Sequence, residues 1–214
     1  MVINRMAQRE RYEEVKIWTP RTRLGLLVSS GKVTSMDEIF ENGWKIKEPE
    51  IVKTLIPDIK SEVAGAGIVQ KQTDAGERTR FVAIVAVGNE NGWFGVGRGK
   101  APQMKLAIDK GTSNALLNIL PVKLGCGSWE CKCGRYHSIP FKTSGKGGSV
   151  RVELIPGPRG LGLVAGKTVK SLLKLAGVQD VWSRTSGSTS TVSSVAYALY
   201  DSLQKIHGIN VISE

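Results

Sequence analysis

Three cysteines and a histidine fall within twelve residues, at Cys126, Cys131, Cys133 and His137. Three thiolates and an imidazole form a donor set for structural zinc, which takes four N/S ligands at tetrahedral corners. Gly125, Gly127 and Gly134 give this segment freedom to wrap an ion. Lys123, Lys132 and Arg135 are expected to lower the thiol pKa values and ease deprotonation. The C-x4-C-x-C-x3-H spacing is not that of a standard finger, and a single residue between Cys131 and Cys133 strains a shared tetrahedron. The same residues also read as free thiols in a reducing cytosol, because an odd number packed this tightly is no disulfide framework. A zinc ion here would pin the linker between two domains and replace core that the loop cannot build.

The second stretch with chemical promise is Gly160-Leu161-Gly162-Leu163-Val164-Ala165-Gly166-Lys167-Thr168. It resembles a phosphate-binding P-loop with a strand before it and a helix after. The spacing fails: four residues must separate the first glycine from Gly-Lys-Thr, whereas Gly160 leaves five and Gly162 three. No apolar strand ending in aspartate offers a magnesium ligand. A nucleotide-dependent RNA-remodelling enzyme using this loop is therefore the alternative reading, and a basic helix start touching RNA phosphate the favoured one. Gly95, Gly97 and Gly99 do not make a dinucleotide fingerprint, since they lie within a strand. The two histidines are His137 and His207. His207 ends a helix, where a cation suits the dipole. Nothing pairs a nucleophile with a base, so no enzyme is expected.

Charge points to a polyanion. The chain of 214 residues carries a net charge of +11, which favours nucleic acid or an anionic surface. Residues 1–48 and 49–120 each hold nine Lys/Arg against seven Asp/Glu, and residues 121–214 hold twelve against five. Most of the excess therefore lies in the C-terminal part. Aromatic residues make up only 6%, and no strand shows paired exposed rings. That argues against base-stacking readers of single strands and for recognition of backbone and shape. The candidate RNA-binding residues are Lys71, Arg78, Arg80, Asn91, Arg98, Lys100, Lys146, Arg159, Lys167 and Arg184.

The elements that position these residues follow from periodicity. Residues 81–87 form a β-branched run of strand length. A turn cluster at 88–92 leads to a second strand, 93–99, whose alternating glycines let another backbone approach closely. Ala101-Pro102 opens a helix carrying Leu106, Ala107, Ala115, Leu116, Ile119 and Leu120. Upstream, residues 49–59 read as a helix that Pro57 ends or kinks, and 62–72 as a strand before a turn at 73–77. Ser35, with Glu38 three residues on, caps a helix stopped by Gly43. Trp18-Thr19-Pro20 is an anchor-like patch, and the polar start of the chain is expected to lie along a partner.

Beyond the cysteines, residues 143–148 read as a glycine-rich loop rich in free N–H groups. Residues 149–155 alternate as a half-buried strand, with Arg151 and Glu153 outward. A helix over 167–176 ends at Gly177, a strand spans 178–182, a polar loop 183–190 and a helix 192–207. The serine- and threonine-rich run 183–194 is expected to bond phosphate and cap that last helix. The chain thus reads as α+β: an N-terminal extension (1–48), an α-β-β-β-α domain similar to a double-stranded RNA-binding domain (49–122), and a β-β-α-β-α domain (123–214). The charged N-terminus lacks a signal-peptide core, and no apolar run reaches membrane-span length, so a cytoplasmic protein with no membrane partner is expected.

Several stretches together resemble small-subunit ribosomal protein five in its archaeal and eukaryotic form. They are Trp18-Thr19-Pro20, Lys47-Glu48-Pro49-Glu50-Ile51, Val69-Gln70-Lys71-Gln72-Thr73, Gly76-Glu77-Arg78-Thr79-Arg80-Phe81, the hairpin 92–100, Gly147-Gly148-Ser149-Val150, Ile155-Pro156-Gly157-Pro158-Arg159-Gly160 and Leu175-Ala176-Gly177-Val178-Gln179-Asp180. The resemblance implies an rRNA-binding structural protein of the small ribosomal subunit. It implies a place near the messenger-RNA path and the decoding region, beside ribosomal proteins four and eight, with influence on accuracy. The family's RNA-contacting loops map to residues 73–80, 89–100 and 144–149, Arg159 and 186–191. Bacterial members lack the Cys126–His137 segment, so the family pattern does not give its role.

Overall fold

The computed structural model describes residues 18–208 except Lys132; the residues before Trp18, expected to lie along a partner, fall outside it. The chain divides into two compact units, Met1–Leu55 and Ile56–Glu214. In the first, α1 (Arg23–Ser29), α2 (Met36–Glu41) and α3 (Pro49–Leu55) follow one another. Ser35 caps α2 as the sequence predicts, its hydroxyl accepting from the Glu38 N–H at 3.4 Å. Trp18 does act as an anchor: its indole Nε1 donates to Glu48 Oε2 at 2.9 Å, while the Arg21 and Thr22 N–H groups donate to Oε1. Helix α3 stops just ahead of Pro57 and groups by its contacts with this first unit, whereas the sequence reading set it at the head of residues 49–122.

Among the described residues, the second unit holds two four-stranded sheets. The first comprises β1 (Lys60–Thr73), β2 (Gly76–Gly88), β3 (Trp93–Ala101) and β4 (Ile119–Pro121), paired in that order and antiparallel. Helix α4 (Met104–Leu117) joins β3 to β4. The second sheet runs β5 (Thr143–Gly147), β6 (Val150–Pro156), β8 (Val181–Ser186), β7 (Leu163–Val164). It is antiparallel except for the β7–β8 pair. Helices α5 (Lys167–Ala176) and α6 (Val192–His207) complete the unit. The α+β class and the order of major elements are those read from the sequence, with β4 and β7 added. No helix among the described residues is long and apolar enough to cross a membrane.

One core serves both sheets. Ile84, Ala86, Phe94, Val96 and Leu120 of the first sheet cluster with Val150, Val152 and Leu154 of the second and with the apolar faces of α5 and α6. The other face of the first sheet packs on α4 through Ala83, Val85, Ala101 and Ala107. The bare face of β3 is thus explained: a Cβ on Gly97 would lie 2.7 Å from the Asn114 carbonyl carbon, and one on Gly99 2.5 Å from the Gly111 N. Gly97 and Gly99 bring strand and helix backbones together, as the alternation suggested, but the approaching backbone is α4.

Three local readings change. Residues 143–148 are not a loop: Thr143–Gly147 is strand β5, whose Gly145 and Gly147 lie against α6. The last strand runs over Val181–Ser186, extending into what read as polar loop, because Arg184 and Thr185 pair across to Glu153 and Val152. Thr191 occupies the N-cap of α6 but makes no side-chain hydrogen bond to it.

Candidate nucleic-acid interface and metal centre

Strand register decides which cations can act together. Across β1, β2 and β3 the matched positions are Lys71 with Arg78, Val69 with Arg80, Val82 with Lys100, and Ile84 with Arg98. Directly opposed residues share a face, and the side-chain period of a strand is two. Lys71, Arg78, Arg80, Lys100 and Arg98 therefore stand on one face of the first sheet, and all five are exposed. The ion pairs among the described residues are Lys60–Glu90, His137–Asp180, Lys142–Glu153 and Lys205–Asp201, so none of the five faces a carboxylate partner there. Opposing Lys71 with Arg78 destabilises the isolated hairpin, and a polyanion laid along this face would relieve that repulsion. At the inner end of the row, Arg98 lines a groove with Gly65, Gly67, Ile84 and Val192.

The second sheet carries a smaller row. Lys146 opposes Arg151, and Glu153 lies between Ser144 and Arg184, all on the face away from α6. Arg151 was not among the candidates, although its outward place in an alternating strand was legible. Lys146 is held through its backbone: its N–H donates to Asp201 Oδ2 at 2.9 Å, and Lys205 Nζ donates to the same oxygen at 2.8 Å. Burial alone would raise the Asp201 carboxyl, but these bonds outweigh it and set the group below its ordinary value of 3.8. The folded pKa is depressed, so the contribution is present above the unfolded pKa and fades as pH falls through and below it. Asp201→Asn should lower the unfolding free energy, measured by urea denaturation at pH 7, by a few tenths to about 1 kcal/mol, because the partly exposed pair is screened by water. The difference from wild type should shrink below about pH 4; a constant difference across pH would contradict the assignment.

The remaining candidates lie apart. Asn91 sits in the β2–β3 turn, whose backbone is spent on the end of α5: the Glu90 and Gly92 N–H groups donate to Leu175 and Ala176 carbonyls. Gly177, at φ +87°, ends α5 there as predicted. Arg159 occupies the turn after β6, and Lys167 is the first residue of α5. The stretch 160–168 is no continuous phosphate loop, because Leu163–Val164 pairs in parallel with Val181–Trp182 and the Gly162 N–H donates to Asp180 Oδ1. At His207, burial first and then the Lys123 charge lower the pKa, which disfavours the cation expected at the end of α6.

The four metal-ligand candidates do converge. Their donor atoms lie within 4.8 Å of one another, despite the single residue between Cys131 and Cys133. Cys133 Sγ is 3.6 Å from Cys126 Sγ, and Cys131 Sγ is 3.7 Å from His137 Nε2. A tetrahedral zinc imposes S–S edges of about 3.8 Å and S–N edges of about 3.6 Å, so the cluster could hold a metal ion. His137 is buried, and its Nδ1 hydrogen-bonds Asp180 Oδ2 at 2.8 Å, turning Nε2 towards the thiols. The Cys131 thiol is lowered to about 6, first by the Arg159 backbone N–H and then by Cys133, rather than by the neighbouring lysines. Burial pushes Cys126 the other way. Asp180 was missed as a site residue: 43 positions separate it from His137, and no local pattern joins them.

Fold and charge define a class: a basic α+β protein whose two sheets share one core, with cations in rows on exposed strand faces. The family model described as "Ribosomal protein S5, N-terminal domain" matches residues 59–123, and "Ribosomal protein S5, C-terminal domain" matches 145–214. The chain belongs to the ribosomal protein S5 family. It is 55% identical over 190 residues to small ribosomal subunit protein uS5 of Thermofilum pendens, covering 89% of this chain and 94% of that one. Against the proteins of the same name from Cenarchaeum symbiosum and Pyrobaculum aerophilum, identity is 53% and 52%. Those alignments cover 92% and 91% of this chain and 90% and 89% of the relatives.

Proposed function

We propose that this protein is a structural constituent of the small ribosomal subunit, a non-enzymatic scaffold in the cytoplasm that binds rRNA through the two cation rows. The observation that carries the reading is the row Lys71, Arg78, Arg80, Lys100 and Arg98: five exposed cations on one sheet face without a carboxylate partner among the described residues. Such a face meets phosphates regardless of sequence. Lys146 and Arg184 extend the contact on the second sheet, and Arg159, Lys167 and Asn91 contribute from separate turns. Following the family, the neighbours are ribosomal proteins four and eight, the messenger-RNA path lies near, and the contact bears on decoding accuracy. Ultraviolet cross-linking of the tagged protein in its own cells tests this. Peptides spanning residues 69–80, 98–100 and 146–151 should carry small-subunit rRNA fragments. Cross-links confined to other surfaces would overturn the assignment of the interface.

The same reading makes the Cys126, Cys131, Cys133 and His137 cluster a structural zinc site. Its support is the convergence of the four donors within 4.8 Å of one another and the carboxylate–histidine pair behind them. Purified protein should carry about one equivalent of zinc, falling well below half in Cys131→Ser. Wild-type protein below half an equivalent would leave these residues as ordinary thiols.

A further inference from the structure

Asp180 uses both carboxylate oxygens. Oδ2 holds His137 Nδ1 at 2.8 Å, and Oδ1 accepts the Gly162 N–H at 2.7 Å. The side chain is buried; the bond to His137 is made away from water, and the bond to Gly162 is part-buried. The backbone doubles the link, because the Gln179 and Asp180 N–H groups both donate to the His137 carbonyl, at 3.0 and 3.1 Å. The turn that Oδ1 grips, residues 157–162, meets the cysteine segment twice more. The Gly157 N–H donates to Ser138 Oγ at 3.3 Å, and the Arg159 N–H hydrogen-bonds Cys131. This turn carries the exposed Arg159 guanidinium and leads into Lys167 at the start of α5. Its side-chain attachments at Gly157, Arg159 and Gly162 thus run to the ligand segment or to the residue that orients its histidine, and the Val181 N–H adds a backbone bond to the Gly162 carbonyl.

We propose that Asp180 is a positioning residue that couples metal occupancy to the conformation of the 157–162 turn, so that the bound ion fixes the basic Arg159 for its polyanion. This inference rests on the zinc reading and extends it. A metal drawn in by Nε2 and three thiolates fixes the imidazole and the Cys131 sulfur together. Asp180 passes the first constraint to Gly162, and Cys131 passes the second to Arg159. Without the ion, the backbone bonds that still tie the cysteine segment to residues beyond it lie at its two ends, from Gly125 and Gly127 to Ser138 and Ile139 and from Gln179 and Asp180 to the His137 carbonyl, while Trp129 and Tyr136 between them point into solvent. The turn then loses the frame that holds it.

The test uses the full chain with zinc as the probe. Asp180→Asn keeps the size of the side chain but cannot accept from both His137 Nδ1–H and the Gly162 N–H. It should weaken zinc binding tenfold to a hundredfold in competition with a chromophoric chelator. Trypsin should then cut the Arg159–Gly160 bond several-fold faster in Asp180→Asn and in chelator-stripped wild type, with zinc restoring protection in the wild type. Cleavage after Arg78 in the β1–β2 hairpin should not change. The effect of Arg159→Ala on affinity for an rRNA fragment should be present with zinc and vanish without it. Stripped wild type answers the question even if the variant folds poorly. Equal zinc affinity in Asp180→Asn, with equal cleavage at Arg159 in the loaded and stripped protein, would overturn the coupling while leaving the zinc site standing. A wild type that binds no zinc would overturn both.

Discussion

Gly99→Val is expected to unfold the contact between the first sheet and α4, at a cost on the order of 3 kcal/mol or more. The added side chain would start 2.5 Å from the Gly111 N and overlap the Ala107 carbonyl oxygen. Both are helix backbone atoms, so neither can rotate away, and α4 must lift off the strand. Lifting it exposes the cluster of Ala83, Val85, Ala101 and Ala107. Gly67→Val is the matched control: Gly67 lies exposed in β1, and nothing comes within 4 Å of its added Cβ. Urea denaturation of the two variants should show a large loss of midpoint for the first and little change for the second. Gly147→Val belongs with Gly99→Val. Its Cβ would lie 2.7 Å from the Ala198 N of α6, so the defect is expected in folding, not only in assembly as a glycine facing RNA would suggest. Equal stability of Gly99→Val and Gly67→Val would contradict the packing described.

The second large effect concerns salt. If the five cations of the first sheet each meet one phosphate, the slope of log affinity against log salt is near −4.5, and a fourfold rise in salt weakens binding roughly 500-fold. Each alanine substitution should remove about one from that slope, so a triple change at Arg80, Arg98 and Lys100 leaves it near −2. Affinity for an rRNA fragment, measured by filter binding across a salt series, reads this out. Substituting Lys105 of α4, which lies off this row, should leave the slope unchanged. A flat dependence in the wild type, or a triple variant indistinguishable from it, would remove the first sheet from the interface.

Local chemistry was legible where the cause is local. The Ser35–Glu38 cap, the stop at Gly177 and the alternation of 149–155 each depend on neighbours within a turn or a strand, and each stands where expected. The glycines of β3 announced close packing but could not name α4 as the partner, because the contact is set by how the chain returns. The Gly145 and Gly147 strand was hidden for the same reason. Glycine-rich sequence favours loops, and only the backbone of α6 passing over those positions makes a strand of them. The cysteine cluster was legible from composition and spacing, whereas Asp180 was not, since a long loop closure brings it to His137. Register did the rest: Lys71, Arg78, Arg80, Arg98 and Lys100 are scattered along the sequence, and only strand pairing puts them on one face.

Membership of the small subunit is the central claim, and sedimentation tests it most directly. A lysate from cells carrying the tagged full-length protein, run through a sucrose gradient at low salt, should place it in the small-subunit peak and in whole ribosomes. A wash at high salt should release more of the Arg80, Arg98 and Lys100 triple variant than of the wild type. Tagged protein found only at the top of the gradient, with the small-subunit peak empty of it, would contradict the account.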